Sequence, residues 1–416
     1  SPFFPASLPV QTEEQAGLGR SLRRADKNNW APRFGFSYRL DDNGKTVLRG
    51  GAGVYYSPFS VAALANQVAG PFAVSTTSTN AFVSDQPLFT LAEPFAVPGS
   101  TGTLNSSGLT PDLRNAYAWQ YSVTVERELT RNIGARVSYI GTKGTQLPYM
   151  RNLNQPPPST TPFAQARRPF PFYNNITFAD NGANNSYHGL QAGVTRRFAA
   201  GLQFASTWVW AKQLSEVDDT NNADLNTAIE NAYDRARDKA NVYSVPRHQW
   251  MNQALYDLPL GKGPLRGGWQ LNILLNLSTG HWLNPQFTGA DPSNTNTFGG
   301  RPDVAGLVSY PKTLAAWFDR TAFTVPTGGR FGNVGRNSIE GPGYIVFNAG
   351  LQKRFVLAKE QELAVGASFV NILNHVNYGQ PNMTVNVGAG GTITGTHVFL
   401  PAGSVRQGQL NLRWSF

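Results

Sequence analysis

Apolar and polar residues alternate with period two along much of the chain. Leu202, Phe204, Trp208 and Trp210 alternate with Gln203, Ala205, Thr207 and Val209. Trp269, Leu271, Ile273, Leu275 and Leu277 alternate with Gln270, Asn272, Leu274, Asn276 and Ser278. The same rhythm runs through Tyr121–Glu126 and Gln409–Phe416. Successive side chains leave a strand on opposite sides, so period two marks a strand with one apolar and one polar face. The pattern predicts eleven strands, over 32–40, 46–58, 115–129, 133–144, 186–198, 202–215, 247–258, 268–282, 343–357, 362–377 and 403–416. Many exceed the roughly 9–11 residues that cross a bilayer at a tilt.

The predicted connections alternate between short and long. The short ones are Asp41–Lys45, Thr130–Asn132, Ala199–Gly201, Pro259–Gly267 and Ala358–Gln361; the long ones are 59–114, 145–185, 216–246, 283–342 and 378–402. Long loops gathered at one end, with short turns at the other, are the habit of outer-membrane barrels. A soluble sandwich has no reason to sort its loops in this way. Asn43-Gly44 is in addition a strong hairpin signal. Counting strands back from the C-terminus puts Phe416 on the periplasmic side and Ser1–Ala31 outside. A complete bacterial barrel has an even number of strands, so eleven are expected to be the C-terminal half of a barrel of twenty-two. Residues 1–31 are then an outer or irregular segment, and 32–416 a partial barrel. Prediction of an open half implies two unpaired edges, and with them self-association as one way to cover those edges.

Composition narrows the class further. Charged residues make up 14% of the 416, against about 25% in an ordinary soluble domain, and aromatics reach 12%. The most apolar long stretch, Val61–Val74, is broken by Asn66 and Gln67. No span of about 20 apolar residues exists to cross a membrane as a helix. The expected fold is therefore all-β, an antiparallel transmembrane barrel of the bacterial outer membrane, with membrane lipid as its first partner. The net charge of +10 is spread in ones and twos, as at Arg23-Arg24, Arg167-Arg168 and Arg196-Arg197. Without a basic stripe or recognition helix, nucleic acid is not expected as a partner. The absence of cysteine removes disulfides, thiol chemistry and Cys-zinc sites. The chain opens on Ser1 without a secretory signal, which points to a removed leader or a piece of a longer protein.

Several stretches carry a resemblance. The run Gln409–Phe416, with Leu410, Leu412, Trp414 and Phe416 on one side, resembles the C-terminal signal read by the barrel-assembly machinery. Three further sets of residues resemble TonB-dependent receptors of the Oar-like subgroup, which bear a carboxypeptidase-regulatory-like domain. They are Asn28–Phe36 with Lys45–Tyr56, Tyr187–Gln191 with Trp208–Lys212, and Gly332–Asn337 with Gly341–Gly343 and Asn371–His375. The resemblance implies a barrel that takes up a bulky solute, of siderophore, glycan or peptide class, using energy delivered by the TonB system. That coupling would act through a plug domain, which has no counterpart in this sequence.

Motifs for bond chemistry fail one by one. Asn43-Gly44-Lys45-Thr46 has the tail of a P-loop, but Arg39 stands where its first glycine is needed. Gly388-Ala389-Gly390-Gly391 lacks the third glycine of a dinucleotide fingerprint. His188, His248, His281, His375 and His397 lie far apart, without a ligand-pair spacing. Asp218, Asp219 and Asp224 do not match a calcium loop. The stretch Ala223–Ala240 has the composition of a short loop helix. No catalytic, metal or cofactor residue is assigned. Trp208, Trp210, Trp269 and Trp282, near predicted strand ends, are expected to form aromatic girdles at the membrane interfaces. The competing reading is a structural or adhesive surface protein that does not transport.

Overall fold

The computed structural model describes residues 14, 15, 17, 24–58, 82–83, 86–87, 104–217, 228–358, 361–397 and 405–416. All eleven expected strands are present: β1 Arg33–Arg39, β2 Thr46–Ser57, β3 Ala116–Thr130, β4 Ile133–Asn152, β5 Tyr173–Ala199, β6 Leu202–Ser215, β7 His248–Asp257, β8 Trp269–Ser278, β9 Tyr344–Ala358, β10 Gln361–Val370 and β11 Gln407–Ser415. Each pairs antiparallel with the next in chain order, giving one continuous meander from β1 to β11. Leu104–Leu109, parallel to the start of β5, and Ala240–Asn241, beside β6, complete a sheet of 13 strands. Among the described residues, β1 pairs only with β2 and β11 only with β10. No helix is long and apolar enough to cross a membrane among those residues.

Local chemistry sets the short turns. Asp41 caps the first: its carboxylate accepts from the Lys45 and Thr46 amides at 2.7 and 3.1 Å and from the Thr46 hydroxyl at 2.7 Å. The β5–β6 turn is Ala200-Gly201, both with positive φ (49° and 78°). Such a pair matches the right-handed twist of the strands it joins.

The register sorts the side chains into two faces, since directly opposed residues share a face. One row runs Tyr38, Leu48, Val125, Val137, Ala192, Trp208, Trp250, Leu277, Ile345. The adjacent row runs Ser37, Arg49, Thr124, Ser138, Gln191, Val209, Gln249, Ser278. The four carboxylates of the ladder between Gly144 and the short turns are Glu126, Glu128, Asp257 and Glu362, and all lie on the polar face. Leu271, Ile273, Leu275 and Leu277 share the apolar face, and Gln270, Asn272 and Asn276 the polar one. Mid-strand, a polar pair on the apolar face is matched within it: the Trp250 indole N–H donates to Ser206 Oγ at 2.8 Å, and the Ser206 hydroxyl donates to Asn252 Oδ1 at 2.7 Å. Each polar atom there is matched within the face, which is what an apolar surrounding demands.

Five strand ends differ from the sequence pattern by four residues or more; one is β11, which starts at Gln407 instead of 403. β4 and β5 extend to Asn152 and back from Tyr173, so the connection between them shrinks to 153–172. Their extra length, Thr145–Asn152 and Tyr173–Asn185, carries no two-residue alternation: five asparagines fall in the β5 part, while Met150 and Ala179 are buried against Leu109 and Ala228. β8 stops at Ser278 and β10 at Val370, where loop residues take over their partners' hydrogen bonds. The expected loop helix in Ala223–Ala240 is not a helix over its described part: a single 3₁₀ turn, Ala236–Asp238, precedes the strand Ala240–Asn241. Its charged side chains are drawn into contacts with other loops instead of lining a helix face.

The long loops pack on one another. Leu283, Phe318, Phe323, Val334, Ile339 and Val385 form a buried cluster drawn from the β8–β9 and β10–β11 connections. Phe318 meets Phe323 edge-on at 5.8 Å between ring centres. The molecule therefore has two parts, a sheet with two faces and a loop cap with its own small core.

Candidate functional site

The polar face and the cap above it form the candidate site. Across β6–β10 the polar face presents Gln203, Leu255, Asn272, Gly350 and Ser368 in one row. Asn272 lies over Gly350, where an added Cβ would sit 2.6 Å from its Oδ1. Gln203, Leu255, Asn272 and Ser368, with Gln253, Leu274 and Asn348, line a shallow depression of about 490 Å³. Its polar groups are the uncharged side chains of Gln203, Gln253, Asn272, Asn348 and Ser368, so it offers hydrogen bonds to a solute without a fixed charge. Charge enters nearer the short turns, where Arg49 pairs with Glu126 at 2.8 Å and Arg354 with Asp257 at 3.3 Å.

The cap is locked by a buried ion cluster. Glu230 accepts from Arg237 Nη2 at 2.9 Å and from Arg301 Nε at 2.8 Å; its other oxygen accepts from the Arg301 amide at 2.7 Å. Arg301 also stands 3.2 Å from Asp238. Arg336 donates to the carbonyls of Asp238 and of Ser215, the last residue of β6, at 3.1 and 2.8 Å. The cluster thus ties two connections to each other and to the sheet. Burial pushes the Asp238 carboxyl above its ordinary range, with Arg301, Arg336 and Arg237 pulling against it. Nearby, two hydrogen bonds from the Arg330 guanidinium, at 2.8 and 2.6 Å, hold Asp303 below the usual carboxylate range.

Asparagines do comparable work. Asn154 is fully buried, accepts from the Phe170 amide at 2.7 Å and donates to the Phe170 and Tyr173 carbonyls at 2.9 and 2.8 Å. Asn371 Oδ1 accepts from the His375 amide at 3.0 Å while its Nδ2 donates to the His375 carbonyl at 2.8 Å. Asn333 takes the Val304 amide at 2.8 Å, and Asn337 donates to the Asn241 carbonyl at 2.8 Å. The receptor-like runs Gly332–Asn337 and Asn371–His375 are therefore fasteners of the cap. Gly332 belongs with them because a Cβ there would collide with the Arg301 and Pro302 backbone.

Histidines scattered in sequence meet in space. The His281 ring stacks on Tyr243 at 4.8 Å and lies 6.0 Å from His397, which meets Tyr344 at 5.7 Å. His397 is buried, and this burial, with His281 beside it, lowers its pKa from 6.5. A second cleft of about 780 Å³ opens at this end between Arg247, Trp282, Tyr310, Lys312, Trp317 and Glu340. Arg247 lies over the Trp282 ring at 5.1 Å.

The residues singled out by sequence fall in different places. Trp208 and Trp210 are on the apolar face of β6 toward the long loops, and Trp269 opens β8 beside a short turn on the same face. Trp282 lies past the end of β8, paired with Glu340 in a two-residue ribbon of the cap. Leu410, Leu412 and Trp414 occupy the apolar face of β11, at the sheet edge, with Phe416 beyond them. Asp218, Asp219 and Asp224 lie outside the described residues. The pattern missed Asn154, Glu230, Asp238 and Arg301. Their partners stand up to 71 positions away in sequence, and period two carries no signal for them.

A two-faced antiparallel meander with long loops at one end is the wall of an outer-membrane barrel. The chain belongs to the outer membrane beta barrel domain family, whose model matches residues 3–409. It is a protein of the bacterial outer membrane, and its apolar face is the lipid face. Its fold is similar to that of the outer membrane transporter YddB from Escherichia coli, with a TM-score of 0.50 at 9% identity, over 93% of this chain and 40% of that one. The ferripyoverdine receptor of the outer membrane of Pseudomonas aeruginosa aligns with a TM-score of 0.45 at 10% identity, over 93% of this chain and 33% of that one. The FrpB iron transporter from Neisseria meningitidis gives 0.42 at 12% identity, over 92% and 39%. The chain thus spans 33–40% of the length of these structures. A search of curated protein sequences finds no match.

Proposed function

We propose that this chain forms half of the wall of a TonB-dependent receptor barrel of twenty-two strands, which takes up a bulky solute through the outer membrane. The observation that carries the reading is the eleven-stranded meander in which, among the described residues, β1 pairs only with β2 and β11 only with β10. In lipid, unpaired backbone groups cost several kcal/mol each, so both edges need partner strands. An equal number of strands from the same barrel would supply them, and a second copy of the sheet is the alternative partner. The amide-lined depression and the aromatic cleft would hold the solute by hydrogen bonding and stacking. The work is binding and gated passage, with no bond made or broken and no cofactor. Energy would come from the TonB system acting through a plug, and insertion from the assembly machinery reading Leu410, Leu412, Trp414 and Phe416. Oar-like receptors are the subgroup whose motifs support the reading.

Deleting the gene and supplying iron–siderophore complexes, glycans or peptides as the limiting nutrient tests this reading. The expected result is lost growth on one class, matched by inactivating the energy-coupling system. Growth unchanged on every class, with loss of surface adhesion, would favour the structural or adhesive reading instead.

A further inference from the structure

Between Gly144 and the short turns, the lipid face of the described ladder holds cations without carboxylates, since Glu126, Glu128, Asp257 and Glu362 all lie on the other side. At its long-loop end two lysines flank a histidine. His188 on β5 is directly opposite Lys212 on β6, and Lys143 on β4 is one pair further out, opposite Ser186. All three side chains are exposed. The Tyr139 hydroxyl and His188 Nδ1 lie 2.7 Å apart, which fixes the ring across the row. Among the described residues no carboxylate pairs with Lys143 or Lys212.

Beside this row, on the same face, is a groove of about 440 Å³ lined by Trp208, Trp250, Leu277 and Ile345, with His248 and His375 at its rim. Trp208 is stacked on His248 at 5.7 Å. The groove and the row are contiguous, because Trp210 is opposite both His248 and Leu190, the next residue on this face of β5 after His188.

An unpaired cation at the edge of a bilayer recruits an anionic head group. An apolar groove below it takes an acyl chain. Neighbouring strands are about 4.8 Å apart, so a row over three strands spans about 10 Å, wider than one phosphate. The long loops of a barrel face outward, which puts the row at the outer leaflet. From these features we infer that Lys143, His188 and Lys212, with the groove between Trp208 and Ile345, form a binding site for one phosphorylated glycolipid of the lipid A type. The inference rests on membrane placement and is independent of whether the barrel transports.

The test uses the protein purified from outer membranes in mild detergent, with native mass spectrometry and thermal unfolding as readouts. Diphosphoryl lipid A, its dephosphorylated form and phosphatidylglycerol are the three probes. Diphosphoryl lipid A is expected to stay bound and raise the unfolding midpoint, and the other two are not. The double variant Lys143→Gln/Lys212→Gln should bind it at least about tenfold more weakly. Lys212→Gln alone gives an intermediate loss if the double variant does not fold. Arg127→Gln, on the same face beside a short turn, should leave binding unchanged. Equal binding by the Lys variants, equal loss in Arg127→Gln, or equal stabilisation by phosphatidylglycerol would overturn the assignment.

Discussion

The sheet and the cap of long loops are held by opposite means. In the sheet, each residue's role follows from its neighbours two positions away, and partners are adjacent strands in chain order. In the cap, single side chains reach across long stretches of chain: Glu230 to Arg301, Gln155 to Ala232, Arg336 to Ser215. The sheet tolerates exchange of one apolar residue for another, because lipid only asks that a face be apolar. The cap does not, because its buried donors and acceptors are matched to particular groups, as Glu230 is to Arg237 and Arg301. A barrel protein can therefore keep its wall while its outer surface is specified by a few polar residues.

The largest effect should come from breaking the ion cluster of the cap. Arg301→Leu leaves Glu230 and Asp238 buried without their shared partner, at a cost of about 3–5 kcal/mol. Limited proteolysis of intact cells should then cut the loops, while the heat-modifiable mobility that reports the folded wall is retained. Loss of both together would mean that cap and wall are one unit.

Next is the wall. Ile273→Arg puts a charge on the lipid face, at about 2–4 kcal/mol near mid-membrane, and should impair assembly. Asn272→Arg, one residue away on the polar face, should assemble normally. Gel mobility before and after heating separates the two.

The Gly332→Ala variant tests the cap by a single methyl group, which meets backbone atoms of Arg301 and Pro302 that cannot swing aside. Overpacking of this kind costs about 1–3 kcal/mol, and increased protease access to the cap should report it.

How much of this could be read in advance follows the same division. Trp269–Ser278 alternates at every position but Leu274, and its faces and neighbours followed from that alternation. Asn154 sits among prolines and polar residues with no period, and nothing local marks it as the fully buried centre of its loop. His281 and His397 were separate loop histidines until folding set their rings 6.0 Å apart. β4 and β5 show the boundary within single strands: the alternation that reveals them stops where Met150 and Ala179 are buried against Leu109 and Ala228, although the hydrogen-bonded ladder continues.

The smallest effect is one of pH, and it belongs to the cap alone. His397 has its pKa lowered from 6.5 by burial and by His281. The fold therefore favours its neutral form. The resulting stability is present above pH 6.5 and is lost as pH falls through the lowered value. Hydrogen exchange in the β10–β11 connection should quicken on acidification across that range, and His397→Gln should flatten the response.

The two-faced wall is tested most directly by placing single reporter cysteines along β8, which the absence of native cysteine makes clean. Spin labels at Gln270, Leu271, Asn272, Ile273, Leu275 and Asn276, in the protein in outer membranes, report contact with lipid or with water. The account predicts strong relaxation by oxygen, which partitions into lipid, at Leu271, Ile273 and Leu275, and by a water-soluble nickel complex at Gln270, Asn272 and Asn276. A reversed pattern, or no alternation between these positions, would contradict it.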